Sequence, residues 1–175
     1  MSASNLPHRD MQERVALIKE RSLHPILFHR FKSCKFFFSF LQALGDEGYS
    51  DVLENRIFFF PVYRPAIQLK IDTPLNKGDN VIALDIMSLT ALEKREAIAV
   101  LLHEIGHVVN PAKDAFENES NADEYAFARG FGKEIISSIP KLPQLPGEQN
   151  AQESSQKING RRIERLKSKL TSQAL

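Results

Sequence analysis

Residues 90–110 read TALEKREAIAVLLHEIGHVVN, and this stretch decides the fold. Ala97, Ile98, Leu101, Leu102, Ile105, Val108 and Val109 recur at helical spacing and form a broad apolar face. Asn110-Pro111 ends the run, because proline cannot continue a helix. Thr90 and Glu93 have the spacing of a capping box and place the helix start there. His103, Glu104 and His107 interrupt the apolar run, and burying two imidazoles and a carboxylate without partners is costly. Gly106 beside them costs about 1 kcal/mol relative to alanine inside a helix. A close approach of another element at that point would account for it.

His103 and His107 are four residues apart, one turn above each other on the same helix face. Two imidazoles so placed can ligate one tetrahedral zinc. Glu104 then falls beside the open metal position, where it can take a proton from the attacking water and give it to a leaving amine.

A catalytic zinc wants a third protein ligand. The metzincin pattern fails, because it needs glycine at 110 and histidine or aspartate at 113, where Asn110 and Lys113 stand. A glutamate on a following helix is the other route, and Glu119-Ser120-Asn121-Ala122-Asp123 offers it, with 111–116 making the turn. Ala122 permits close helix packing. Asp123, one turn beyond Glu119, can accept a hydrogen bond from a ligand histidine and fix its tautomer. Glu117 and Glu124 compete for the ligand role, but Glu119 has the better relation to Asp123.

HEIGH followed by ESNAD and Tyr125-Ala126 resembles the gluzincin peptidases, whose pattern is HExxH followed by ExxAD. The chain is similar to small soluble relatives of the CAAX-protease-type family and to the minigluzincins. The likeness reaches upstream over Val81–Asn110 and weakly downstream to Arg162-Ile163-x-x-Leu166, a little over half the chain. It implies a zincin-like fold in which Val81 to Ile86 is an edge strand that binds an extended peptide by strand addition. The family often carries a histidine and a proline ahead of the Arg-Ile pair, where this chain has Gln156 and Lys157. That departure leaves Arg162, Arg161 and Tyr125, in that order, as candidate transition-state donors. The segment Glu119 to Ala126 also resembles repressor-cleaving regulators of the ImmA/IrrE type, whose substrate is one DNA-binding protein. A non-catalytic zinc protein of the same fold is a further alternative, although Glu104 would then have no task.

Outward from the motif, DMQERVALIKE (10–20) predicts a first helix and His24-Pro25 a break. A second helix is expected over 26–44, ending at Gly45, with Phe36, Phe37, Phe38 and Phe40 as core. Ile57–Phe60, Ala66–Ile71 and Val81–Ile86 predict three strands of a small antiparallel or mixed sheet. Helices follow at 117–130 and 133–139, then a loop over 140–155 and a basic amphipathic helix over 155–170. Its Arg161, Arg162, Arg165, Lys167 and Lys169 read as a solvated face packed through Ile158, Ile163, Leu166 and Leu170.

The 175 residues suit one compact domain, and a net charge of +1 gives no reason to expect a nucleic-acid partner. Cys34 is the only cysteine, which excludes an internal disulfide; its default role is a small buried hydrophobe, with capping of the zinc the rarer alternative. His24 and His29 lack a ligand pattern. Met1–Asp10 does not read as a signal peptide, and Phe36–Leu41 is far shorter than the roughly 18 residues of a spanning helix. The expectation is therefore a cytoplasmic α+β zinc metallopeptidase acting on a protein or peptide, with one Zn2+ per chain and no membrane insertion. A small sheet would pack on the HExxH helix, with a C-terminal helical subdomain beyond it. Residues 1–55 form the N-terminal helical region, available to cover the cleft, and 56–175 the catalytic region.

Overall fold

Asp10 starts the first helix, α1 (Met11–Glu20), by accepting the backbone N–H of Glu13 on its carboxylate. The computed structural model describes residues 10–23, 25–62, 76–142 and 149–173. Two compact units divide the chain, Met1–Met87 and Ser88–Leu175. Among the described residues it is mostly helical with a two-stranded parallel sheet, an α+β arrangement. No described helix is long and apolar enough to cross a membrane.

In the first unit, α2 (Pro25–Lys32) and α3 (Phe37–Glu54) follow α1. The single helix expected over 26–44 is therefore two, parted at residues 33–36. Gly45 bends the next helix instead of ending it: its φ of 64° leaves the helical region, and Asp46 resumes the helix at once. The Arg14 guanidinium holds both sides of this kink, donating 2.8 Å bonds to the Leu41 carbonyl and the Asp46 carboxylate. Phe31, Phe36, Phe37, Phe40 and Phe59 are fully buried, while Phe38 is half exposed. Three of the four phenylalanines expected as core are therefore core.

The strands β1 (Ile57–Val62) and β2 (Asn80–Asp85) pair in parallel, as a mixed sheet allows and an antiparallel one does not, with Ile57 opposite Asn80 and Val62 opposite Asp85. The seventeen residues between them supply the long crossover that a parallel pair requires. On the other side of β1, Phe59 accepts from the Leu23 N–H and donates to the Arg21 carbonyl. Ile82 and Leu84 are buried and Val81 and Ala83 exposed, the alternation of a half-buried strand. The strand expected over 66–71 lies outside the described residues.

A short helix, α4 (Ile86–Ala91), takes up Ile86 and Thr90. The HExxH helix, α5 (Lys94–Val109), consequently starts three residues later than the capping-box reading placed it, with Glu93 and not Thr90 as its N-cap. Glu93 is extended (ψ 151°), and its N–H donates to the Glu96 carboxylate at 3.1 Å, so the box is Glu93 with Glu96 in place of Thr90 with Glu93. That carboxylate also accepts from Ser137 and Lys141, tying the start of α5 to α7 (Gly132–Ser138) and the 3-10 turn after it. Between them, α6 (Ala115–Ala128) is capped by Asp114, which accepts from the Glu117 N–H at 2.8 Å. The last helix, α8 (Gln149–Gln173), begins six residues before the expected start and absorbs part of the predicted loop.

Candidate metal centre

Helices α5 and α6 make the most extensive helix–helix contact of the second unit. Gly106 is the reason they can. A Cβ there would lie 2.8 Å from the Ala122 Cα, 2.8 Å from the Tyr125 Cβ and 2.9 Å from the Ala122 carbonyl oxygen. Two of these are backbone atoms that cannot swing away. The glycine that is costly for helix propensity permits the crossing, and Ala122, fully buried, faces it.

The crossing brings together the residues singled out in the sequence. Glu119 on α6 places Oε2 3.4 Å from the His103 Nε2 and Oε1 3.6 Å from the His107 Nε2. The imidazole rings stand nearly perpendicular, with centroids 4.5 Å apart. Ligand atoms of His103, His107 and Glu119 all lie within 4.8 Å of one another, a group that could hold a metal ion. Neither Glu117, which is exposed, nor Glu124, which pairs with Arg165 and Lys169, belongs to it.

Asp123 is completely buried, and its Oδ1 lies 2.9 Å from the His103 Nδ1. This contact takes the inner nitrogen of His103 and leaves Nε2 turned toward Glu119, the tautomer a metal ligand needs. Arg162, on α8, completes the cluster by bonding both Asp123 and Glu119. Burial alone would lower the His103 pKa, but Asp123 and Glu119 raise it to about 9 in the metal-free protein. Burial, followed by the neighbouring His103 charge, lowers that of His107. Burial would raise Asp123 and Glu119, yet both stay below the ordinary carboxylate range: Arg162 and His103 hold Asp123 down, and His103 and Arg162 hold Glu119. Glu104 is half-buried on α5, next to His103 in the chain.

The three candidate transition-state donors occupy different settings. Arg162 is inside the cluster, Arg161 stacks 3.8 Å over the Phe116 ring, and Tyr125 is buried with Arg129 3.6 Å over its ring. The basic face of α8 is not simply solvated. Arg162 meets Asp123 and Glu119, Arg165 meets Glu124 and the Ser120 carbonyl, and Lys169 meets Glu124, all on α6. Leu166 is fully buried among these contacts. Cys34 and His29, in the first unit, are not in the ligand group; His24 lies outside the described residues.

Sequence reasoning missed Asn118. Its side-chain amide lies 3.0 Å from the His107 Nδ1 and accepts the Ala112 N–H at 3.0 Å, linking the second histidine to the α5–α6 turn. With its oxygen toward Ala112, Asn118 donates to His107 Nδ1. Ligation through Nε2 asks for the opposite amide orientation, so that Nδ1–H has an acceptor. The available signal was position: Asn118 directly precedes Glu119 on the helix that faces α5.

No family model, curated protein or solved structure matches the chain.

Proposed function

We propose that this chain is a zinc-dependent metallopeptidase that hydrolyses peptide bonds in a protein or peptide substrate. The observation that carries the reading is the convergence of two imidazoles and one carboxylate across the α5–α6 crossing, with Glu104 adjoining the first imidazole in the chain. Two nitrogens and one oxygen are a donor set of catalytic zinc sites, which keep a fourth position open. Asp123 at the Nδ1 of His103 supplies the carboxylate partner that such histidines require.

His103, His107 and Glu119 would hold the metal. Zinc held there would supply a water of lowered pKa and Lewis acidity toward the scissile carbonyl. Glu104 acts on the proton, taking it from the attacking water and passing it to the leaving amine. His107 and His103 stay neutral in that task, and Asp123 keeps the His103 ring in its ligating orientation.

Glu104→Gln separates chemistry from metal binding. The variant keeps its metal and loses about 100-fold or more of its peptide hydrolysis, the usual contribution of a general acid–base. Cleavage is read by mass spectrometry of a peptide library incubated with each protein. Equal cleavage by both proteins removes Glu104 from the mechanism.

A further inference from the structure

Arg162 lies 39 residues beyond Asp123 in the chain, on a helix outside the HExxH and ESNAD segments, yet its guanidinium is in the ligand cluster. Nε and Nη2 donate to the two oxygens of Asp123 at 2.9 and 2.7 Å, a bidentate fork. Nη1 donates to the Asn159 side-chain oxygen at 3.1 Å and reaches the Glu119 Oε2 at 2.6 Å. Every nitrogen of the guanidinium is thus committed to a neighbour, and the residue is only 8% exposed. A donor held this way has little freedom to follow charge developing on a substrate.

Glu119 and Asp123 stand one turn apart on α6 and place two negative charges on the same face. One ligates in the proposed site and the other holds a ligand. Arg162 bonds both, so it acts on Glu119 directly and on His103 through Asp123. A lysine could supply the charge but not the planar fork that fixes the angle between the carboxylates.

We propose that Arg162 is a positioning residue for two of the three metal ligands, and that α8 is through it a part of the metal site. This rests on the metal-binding reading above. Arg165 provides the internal control, because it also docks α8 on α6, through the Ser120 carbonyl and Glu124, without touching a ligand side chain.

The test compares wild type, Arg162→Met, Arg162→Lys and Arg165→Met in the full chain. Zn2+ affinity is measured by chelator competition, and the site geometry by the visible spectrum of the Co2+-loaded protein. Arg162→Met weakens Zn2+ binding about 10- to 100-fold, the usual cost of losing a partner behind the ligands, and alters the Co2+ spectrum. Arg162→Lys restores stability but only part of the affinity, and keeps the test decisive where the methionine variant does not fold. Arg165→Met keeps wild-type affinity and spectrum. Wild-type affinity and spectrum in either Arg162 variant overturns the proposal, as does an equal loss in Arg165→Met, which would make the effect one of general docking. A wild type that binds neither Zn2+ nor Co2+ overturns the metal reading itself, a result distinct from all of these.

Discussion

Phe31, Phe36, Phe37, Phe40 and Phe59 fill the interior of the first unit, with Phe31 and Phe37 meeting edge to face at 5.1 Å. The second unit buries His103, Asp123, Arg162 and Glu96 beside its leucines and alanines. Both are buried, but for different reasons. An aromatic cluster stabilises by removing apolar surface from water and needs no exact partner. A buried ionisable cluster costs desolvation for every member and holds together only if each is satisfied by another. In the first unit the buried Arg14 serves backbone geometry at the Gly45 kink. The second places its charges where three ligand atoms converge, which is where perturbed groups point to chemistry.

The strongest way to break this contrast is to remove one member from each interior. Asp123→Ala leaves Arg162 and His103 buried with their shared partner gone, at a cost of about 3–5 kcal/mol. Phe40→Ala costs a similar amount, about 3–5 kcal/mol, through the cavity it leaves. Urea midpoints should fall in both, but only Asp123→Ala should also weaken metal binding by the folded protein. Loss of metal in Phe40→Ala alone would contradict the division of labour.

Gly106→Ala is the next largest. The added methyl meets Ala122 backbone at 2.8 Å and forces α5 from α6, an overpacking cost of about 1–3 kcal/mol. Improved helix propensity offsets about 1 kcal/mol of it. The net expectation is a lowered urea midpoint together with weaker metal binding, since Glu119 moves away from both histidines. A more stable variant with unchanged metal affinity would show that the close approach does not matter.

The contrast also shows in pH. In the metal-free protein the His103 pKa is raised from 6.5 to about 9, so its contribution is complete below about 6.5 and is lost as pH rises through 9. Asp123 and Glu119 are shifted down, so their contribution is present above the ordinary carboxylate range and is lost as pH falls through their folded values. Thermal melts of chelator-treated protein should therefore decline from about pH 6.5 to pH 9. Asp123→Asn should flatten that decline. An unchanged slope in the variant would detach His103 from Asp123.

The parts legible in the sequence were those set by spacing. The apolar period of Ala97 to Val109 and the stop at Pro111 fix α5, and the i, i+4 relation carries His103 with His107 and Glu119 with Asp123. The misreadings arose where a local signal had two physical outcomes. Gly45 can end a helix or bend it, and Asp46 with Arg14 on hand makes it bend. Thr90 can cap a helix or sit inside one, and Glu96 reaching back to Glu93 decides the matter. Parallel pairing of β1 and β2 depends on a long crossover that no residue pattern in the strands announces. Asn118 and the committed fork of Arg162 were out of reach, because each depends on partners brought in by a turn or by a helix distant in the chain.

The most direct test of the central claim is metal content per chain in wild type and Glu119→Ala, each purified after Zn2+ is supplied. About one zinc in the wild type and markedly less in the variant is the result this account predicts, because Glu119 joins the two histidines across the crossing. Equal zinc in both would move the third ligand elsewhere, and no zinc in either would contradict the metal centre outright.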